Sequence, residues 1–337
     1  MKQAWWYGGR DIRIEDKQQR ALEGHEVRVR VKAVGICGSE LHAYTGASKR
    51  RTPPLLMGHE FAGEVAEMGK DACQFKVGER VAIEPLIRCG TCRPCQRGET
   101  NICVNRRLVG LHTPGAFAEY VIVPLSICHK MPNGLSFESA SFAEPLANAI
   151  RAVGQTPLEV GDSLLVLGTG IIGLFVIQIA RLRTGGDIIG TDLIEKKLEL
   201  ARRFGANHTI NAMKEDVLNR TRELTHGAGV DHSIEVVGDQ DTVRQAISAT
   251  SQGGTVTVIG LMQQLMDLDV MEIVSKEIKL IGHYGYTGHE FATALDFIAR
   301  GKVDVASLTS KTLPLERIVE GFEMMAAQTA MKCIITP

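Results

Sequence analysis

The chain has 337 residues, which predicts two domains, because soluble domains average about 150 residues. Its composition, 44% hydrophobic and 23% charged, excludes a disordered chain. A balance of 38 Lys+Arg against 39 Asp+Glu provides no bulk charge to attract nucleic acid or an anionic membrane, so neither is expected as a partner. The first residues lack the apolar core of a signal peptide, and we expect a cytoplasmic protein.

The first 150 residues are predicted to be rich in β-strands. Residues 25–37 alternate charged and apolar side chains as far as Val31, and short apolar runs between glycines follow at 61–69 and 77–87. Alternation with a period of two residues is typical of strands that bury one face.

From about residue 155 the pattern changes to strands that alternate with helices. Strands are expected at 163–168, 187–192, 208–210, 232–237, 255–260 and 279–282. Helical patterns separate several of them, at 171–183, 195–205, 214–225 and 240–250. This alternation predicts an α/β fold with a doubly wound parallel sheet covered on both faces. Residues 163–180 carry no charge, but glycines interrupt them, so a strand, turn and helix explain the run better than a membrane helix.

The remaining C-terminal part contains helical patterns near 289–300 and 315–327 and a strand-like segment at 331–336. We expect this last strand to return to the first domain. The predicted domains are therefore a discontinuous one, 1–152 with 286–337, and a continuous one, 153–285.

A glycine-rich turn follows the strand predicted at 163–168. It reads Gly168-Thr169-Gly170-Ile171-Ile172-Gly173, and it opens the next helix. In this pattern the first glycine allows a tight turn, the second lets the backbone approach a pyrophosphate, and the third packs the helix against the strand. The helix N-terminus, with Ile171 and Ile172 in its first turn, offers N–H donors and a positive dipole to the phosphates.

An acid closes the next predicted strand, 19 residues after the turn, at Asp192. A carboxylate there would accept both hydroxyls of the adenosine ribose and repel a 2′-phosphate, which favours NAD over NADP. Lys197, five residues on, is a further candidate for contact with the ribose. The alternative interpretation is a glycine-rich turn without a ligand.

Four cysteines lie within fifteen residues, at Cys89, Cys92, Cys95 and Cys103. In a reducing compartment this spacing indicates a metal site rather than disulfides, and four thiolates can enclose one structural Zn²⁺. A [4Fe–4S] cluster is the alternative, but seven residues separate the last two cysteines and no proline follows Cys103, unlike the bacterial ferredoxin pattern. A closed four-cysteine site keeps no open position for substrate.

A second set of potential metal ligands is dispersed along the chain. It comprises Cys37 in GICGSELH, His59 and Glu60 in MGHEFAG, and Glu144 in FAEPLANA. A catalytic zinc takes three protein ligands and keeps one position for water or substrate. Taken singly, each residue is equally compatible with a packing or surface role, and spacing alone does not join them.

The order of these motifs resembles the zinc-dependent medium-chain alcohol dehydrogenase family. GICGSELH, GHEFAGEV, VGERVAIEP, the four-cysteine segment, GAFAEYVIVP, EPLANAI and GTGIIG occur in family order over almost the whole chain. The resemblance implies a GroES-like catalytic domain and a Rossmann domain, with the active site in the cleft between them. It also implies two zinc ions per chain, one catalytic and one structural, and a homotetramer or homodimer.

Within the family the chain resembles the branch of sorbitol, galactitol-phosphate, butanediol and threonine dehydrogenases. That resemblance implies that Cys37, His59 and Glu144 bind the catalytic zinc, and that Glu60 approaches it directly or through water. It further implies that Ser39 relays the proton of the substrate hydroxyl and that His42 passes it on towards solvent.

The expected function is NAD-dependent oxidation of a secondary hydroxyl in a polyol, sugar acid or similar small polar alcohol. An L-threonine 3-dehydrogenase is the alternative within the family. A zinc-free quinone or enone reductase would lack the three ligands together, and a non-catalytic nucleotide-binding protein would not need them. Arg50 and Arg51 could meet a carboxylate or phosphate, but we predict that they are solvated.

Overall fold

The computed structural model describes residues 1–47, 50–261 and 263–337. The chain forms two compact units, one from Met1–Ala147 with Tyr286–Pro337 and one from Asn148–Gly285. The domain limits expected from the sequence stay a prediction, and the 152/153 limit falls inside a helix.

The described strands follow the sequence patterns closely. In chain order they are β1 Lys2–Gly8, β2 Asp11–Asp16, β3 Glu26–Gly35, β4 Leu55–Leu56, β5 Glu60–Met68, β6 Arg80–Ile83, β7 Leu86–Ile87, β8 Arg107–Leu108, β9 Tyr120–Pro124, β10 Cys128–Lys130, β11 Leu164–Leu167, β12 Ile188–Asp192, β13 His208–Asn211, β14 Val230–Glu235, β15 Thr250–Val258, β16 Lys279–Gly282, β17 Thr309–Pro314 and β18 Lys332–Thr336.

The described helices include several short ones that the patterns do not predict. In chain order they are α1 Gly38–Tyr44, α2 Arg93–Gln96, α3 Phe137–Ala140, α4 Ala143–Gln155, α5 Ile171–Arg181, α6 Glu195–Arg203, α7 Val217–Leu224, α8 Gln240–Ala249, α9 Val270–Ser275, α10 Gly288–Ala299 and α11 Ile318–Ala326. α1 and α9 are too short to show a helical period, and each depends on its amino-terminal cap. Among the described residues, no helix is long and apolar enough to cross a lipid bilayer.

The first unit is built around β3, the strand predicted at 25–37. Val27, Val29 and Val31 point into the core, while the residues between them are more exposed, as expected for a strand with one buried face. The main sheet has the order β10-β6-β5-β3-β18-β17, and β9 also pairs with β3. β18 runs antiparallel to β3, so the last strand of the chain lies in the sheet of the first unit.

The second unit contains a parallel sheet with the order β13-β12-β11-β14-β15-β16. β11 is fully buried, which explains its uninterrupted apolar sequence. The chain starts at the middle strand, moves to one edge, and then crosses to the other side. This order confirms the predicted α/β class with a doubly wound sheet.

We predict that Gly173→Ala lowers the free energy of unfolding by about 1–3 kcal/mol, the usual cost of overpacking. A β-carbon at Gly173 would lie 1.9 Å from the Gly168 carbonyl oxygen, so α5 would have to move away from the turn before it. Chemical denaturation followed by circular dichroism measures the change.

Gly154→Ala in α4 is the matched control. Gly154 is exposed, and a β-carbon there meets no atom within 4 Å. Alanine should therefore leave stability unchanged or raise it by about 0.5 kcal/mol through its better helix propensity. Equal effects of the two substitutions would contradict the close approach at Gly173.

Candidate metal centres and dinucleotide-binding turn

The amino end of α1 holds Cys37 and a buried acid, Glu40. Cys37 caps the helix, and the Glu40 carboxylate accepts a hydrogen bond from the Cys37 amide at 3.1 Å. The same carboxylate accepts hydrogen bonds from the Gly58 amide at 2.8 Å and from His59 Nδ1 at 2.7 Å. With Nδ1 engaged, Nε2 is the ring nitrogen of His59 that is left to bind a metal.

Glu40 stays charged despite its burial. Burial alone would raise the pKa of Glu40, but the positive charge and the hydrogen bond of His59 outweigh it and lower this pKa to about 2. Sequence reasoning missed Glu40, because an acid in the first turn of a helix is common as a cap and dipole partner. The position of Glu40 one helical turn after Cys37 is the feature of the sequence that could have indicated its role.

Glu60, the neighbour of His59, forms a buried ion pair with Lys332 of β18. Their side chains are 2% exposed each, so neither charge is stabilised by bulk water. Burial would lower the pKa of Lys332, but Glu60 outweighs it and raises that pKa. Gly35 makes the room, since a β-carbon there would lie 2.7 Å from both Glu60 Oε2 and Lys332 Cε.

Glu144 lies in the first turn of α4 and accepts a hydrogen bond from the Tyr286 hydroxyl at 3.1 Å. Burial raises the pKa of Glu144, and the nearby charge of Glu60 raises it further. The opposing charge of His59 partly offsets both effects, so Glu144 lies within electrostatic reach of these two residues. Tyr286 is a partner that sequence reasoning did not identify, because it is 142 residues away along the chain.

Three of the four dispersed candidates converge on one place. Among the described residues, Cys37, His59 and Glu60 bring one ligand atom each within 4.8 Å of one another. Glu144 is not a member of this 4.8 Å group, although the charges of His59 and Glu60 both affect its pKa. A thiolate, an imidazole and a carboxylate form a mixed sulfur, nitrogen and oxygen donor set of the kind that binds Zn²⁺.

Ser39 and His42 lie beside this group on α1. The Ser39 hydroxyl donates to Cys37 Sγ at 3.3 Å, and its side chain is exposed. His42 is half-buried three residues later, on the same helix face as Ser39. Burial and then the charge of Arg51 lower the pKa of His42, so its imidazole is neutral near pH 7 and can accept a proton.

The four clustered cysteines form a second compact group. The Sγ atoms of Cys89, Cys92, Cys95 and Cys103 lie within 4.8 Å of one another. The Cys89 and Cys103 sulfurs are 3.5 Å apart, and those of Cys92 and Cys103 are 3.8 Å apart. Sulfurs at the corners of a tetrahedron, each 2.3 Å from its centre, would be about 3.8 Å apart. One ion fits this spacing, whereas a four-iron cluster binds each thiolate through a different iron and needs wider separation.

The backbone of the lobe favours the ionised form of two of the four thiols, whereas burial and the hydrogen bond of Cys92 raise the pKa of Cys95 to about 12. The backbone amides of Thr91 and Cys92 lower the pKa of Cys89 by hydrogen bonding to its sulfur. The amides of Cys95 and Val104 do the same for the pKa of Cys92. Thiolates are the form that binds metal, so the backbone fold of this lobe suits a metal site before any ion arrives.

The glycine turn connects β11 to α5 in the second unit. Gly168 has φ +94°, in the left-handed region, and a β-carbon there would lie 2.7 Å from Val237 Cγ2. Gly170 caps α5, and a β-carbon there would meet no atom within 4 Å, so a ligand has room to approach. Ile171 and Ile172 form the first turn of α5, where backbone N–H groups are not used by the helix itself.

Asp192 ends β12, and its carboxylate is well supplied with local donors. It accepts hydrogen bonds from the amides of Thr169 at 2.9 Å, Leu193 at 2.9 Å and Ile194 at 3.1 Å. Lys197 lies 3.6 Å away and supplies a counter-charge. The Asp192 carboxylate is thus fixed beside the glycine turn. The buried Thr169 links the carboxylate to the turn, and sequence reasoning did not identify this role.

Comparison with known proteins agrees with this geometry. Residues 23–133 match the alcohol dehydrogenase GroES-like domain, and residues 172–300 match the zinc-binding dehydrogenase family. Sorbitol dehydrogenase of Bacillus subtilis is 35% identical, over 99% of this chain and 96% of the relative. L-threonine 3-dehydrogenase of Bacillus licheniformis is 34% identical, over 94% and 92% respectively.

Solved structures show the same fold. A zinc-binding dehydrogenase from Sinorhizobium meliloti, solved with NADP bound, is 30% identical and superposes with a TM-score of 0.91, over 100% of this chain and 99% of that one. Dehydrogenases of two different alcohols therefore match this chain over at least 94% of its length. The chain therefore belongs to the zinc-dependent medium-chain dehydrogenase family, it is an oxidoreductase, and it carries two groups of candidate metal ligands.

Proposed function

We propose that the chain is an NAD-dependent dehydrogenase that oxidises a secondary hydroxyl of a polyol, sugar acid or similar polar alcohol to a ketone. The observation that carries this proposal is the convergence of Cys37, His59 and Glu60 beside the Ser39 hydroxyl. Such an arrangement joins a metal-binding donor set to a side chain that can move a proton.

Cys37, His59 and Glu144 would hold a catalytic zinc, with Glu60 as a further carboxylate close by. The four cysteines of the lobe would hold a structural zinc. Gly168, Gly170, Gly173 and the first turn of α5 would bind the pyrophosphate of the dinucleotide. When bound, zinc would supply a Lewis acid for the substrate hydroxyl, and the nicotinamide would supply the hydride acceptor.

The chain's own residues supply orientation and proton transfer. Glu40 fixes the ring of His59 through Nδ1, and Lys332 balances the charge of Glu60. Ser39 would accept the proton of the substrate hydroxyl and release its own hydroxyl proton towards His42. His42, which is neutral near pH 7, can pass that proton towards solvent.

NAD rather than NADP is the proposed cofactor because of Asp192. Its carboxylate adjoins the glycine turn and would repel a phosphate on the ribose. The NADP bound to the Sinorhizobium meliloti relative makes this choice worth a direct measurement. A second candidate substrate is L-threonine, because a relative named for that substrate is 34% identical to this chain.

We also propose that the chain acts in the cytoplasm and assembles as a homotetramer, with a homodimer as the alternative. Cysteines that bind metal as thiolates require a reducing compartment. The second unit offers an apolar surface for assembly, since Val270, Met271 and Val274 of α9 are more than half exposed.

A pooled screen of polyols, sugar acids and L-threonine, with NAD⁺ and NADP⁺ in separate reactions, tests the proposed function. The absorbance of the reduced nicotinamide should rise with a secondary polyol or sugar acid and with NAD⁺. Oxidation of L-threonine but of no polyol would favour the second candidate. No reduction with any alcohol and either cofactor would refute the proposal.

The zinc assignment predicts about two zinc ions per chain by plasma mass spectrometry. Cys37→Ala should lose one of them together with turnover, while the four-cysteine lobe keeps the other. Cys73→Ala is the control, because Cys73 is exposed and lies outside both groups, and it should keep both ions and full activity. One zinc in the unaltered protein would instead reopen the alternatives of a reductase without a catalytic zinc and of a non-catalytic role.

The relay assignment predicts that Ser39→Ala lowers kcat by about 100-fold, the usual contribution of a positioned proton-transfer group. Zinc content should not change, since Ser39 is not a proposed ligand. Ser39→Thr keeps a hydroxyl and should retain most of the turnover. Steady-state kinetics and metal analysis of the same preparations provide both readouts, and unchanged turnover in Ser39→Ala would remove Ser39 from the relay.

A further inference from the structure

Arg51 is buried, which corrects the expectation that both arginines of the pair are solvated. Arg50 is exposed as predicted, but Arg51 is only 8% exposed. Arg51 Nη1 donates a hydrogen bond to the Ser39 backbone carbonyl at 3.1 Å. Its Nε lies buried and, among the described residues, has no hydrogen-bond partner.

The guanidinium also lacks a carboxylate partner. In the part of the chain that the structure describes, no carboxylate oxygen lies within 4.0 Å of its nitrogens. Glu40 is near enough for Arg51 to lower its pKa, behind the larger effect of His59. However, no oxygen of Glu40 lies within ion-pair distance of the Arg51 nitrogens, and these oxygens accept instead from Cys37, Gly58 and His59.

The other ionisable side chains that interact with Arg51, His42 and His112, supply no negative charge. Burial, and then Arg51, lowers the pKa of His42. Burial also lowers the pKa of His112, together with the charges of Arg106, Arg107 and Arg51. A buried charge in a folded protein is normally paired, so this one calls for an anion that is not part of the chain.

The position of Arg51 next to Ser39 indicates where that anion would come from. Its Nη1 holds the backbone of Ser39, whose hydroxyl is 3.3 Å from Cys37 Sγ and whose side chain is exposed. A molecule that places a hydroxyl group at Ser39 would therefore bring its next few atoms towards Arg51. A guanidinium offers two parallel N–H donors, the geometry that carboxylates and phosphates accept.

We propose that Arg51 binds an anionic group of the substrate, a carboxylate or a phosphate ester, so that the preferred alcohol is charged rather than a neutral polyol. This inference rests on the proposed function and narrows its substrate class to sugar acids, polyol phosphates and hydroxy amino acids. Arg51 anchors the substrate, while Ser39 and the metal-binding group act on its hydroxyl.

A substrate series of matched chain length tests the proposal: a neutral polyol, the corresponding sugar acid, the corresponding phosphate monoester and L-threonine. With saturating NAD⁺, the unaltered protein should oxidise at least one charged member with a kcat/KM about 10- to 100-fold above that of the neutral polyol. This is the range expected for one hydrogen bond to a charged group. Comparable values for charged and neutral alcohols would refute the inference, and this measurement needs no variant.

Three variants then assign the preference to Arg51. Arg51→Gln should reduce the ratio of charged to neutral kcat/KM to near one, mainly through KM of the charged alcohol. Arg51→Lys should retain part of this ratio, because lysine keeps the positive charge but lacks the two parallel N–H donors of arginine. Arg50→Gln, the exposed neighbour, should keep the full ratio.

Other outcomes distinguish competing roles. If Arg51→Gln raises KM for NAD⁺ with every alcohol alike, the anion is a phosphate of the cofactor and the inference is wrong. An equal fall in kcat for all alcohols would mean that Arg51 only positions Ser39, which also refutes it. Oxidation of neutral polyols alone would leave the proposed function standing without this inference, whereas no oxidation of any alcohol would remove both.

Discussion

The buried carboxylate of Glu40 is the interaction on which the candidate metal centre depends. It accepts hydrogen bonds from the amide that starts α1, from the turn before β5, and from the ring of His59. A buried carboxylate without such donors would be costly, so the fold keeps these donors in place. The same contacts fix the distance between Cys37 and His59, and the local geometry is therefore set by the protein before any metal binds.

A second buried charge pair extends this organisation to the last strand. Lys332 reaches Glu60 because β18 pairs with β3, and Gly35 leaves the space between them. Two opposite charges, a hydrogen-bonded histidine and a thiol thus lie close together in the first unit, and all of them except the half-buried Cys37 are buried. In such surroundings a charge acts over longer distances than in water, and beside the effect of burial the charge of Glu60 raises the pKa of both Lys332 and Glu144.

Much of the fold follows from local patterns in the sequence. The period-two alternation in β3, the apolar run of β11 and the glycine turn each depend on neighbours within a few residues. The four-cysteine lobe also depends on a short segment of sequence, since its cysteines lie within fifteen residues. These features were predictable because short-range geometry alone produces them.

The partners of the site residues were not predictable in the same way. Glu60 and Lys332 are 272 residues apart, and Glu144 and Tyr286 are 142 apart, so only the fold brings them together. Arg51 illustrates a different limit: a charged residue beside another arginine is normally exposed, and its burial depends on the packing around α1. Neither spacing nor composition carries that information.

The position of β18 has a consequence for how the chain is made. β3 is synthesised early, but one of its pairing partners is translated only after the whole second unit. Until then the end of β3 at Val34 and Gly35 lacks this neighbour, and an open strand edge is a place where other chains can pair. The second unit is continuous and can fold first on the ribosome. Completion of the sheet beside the candidate metal centre would then be a late step of folding.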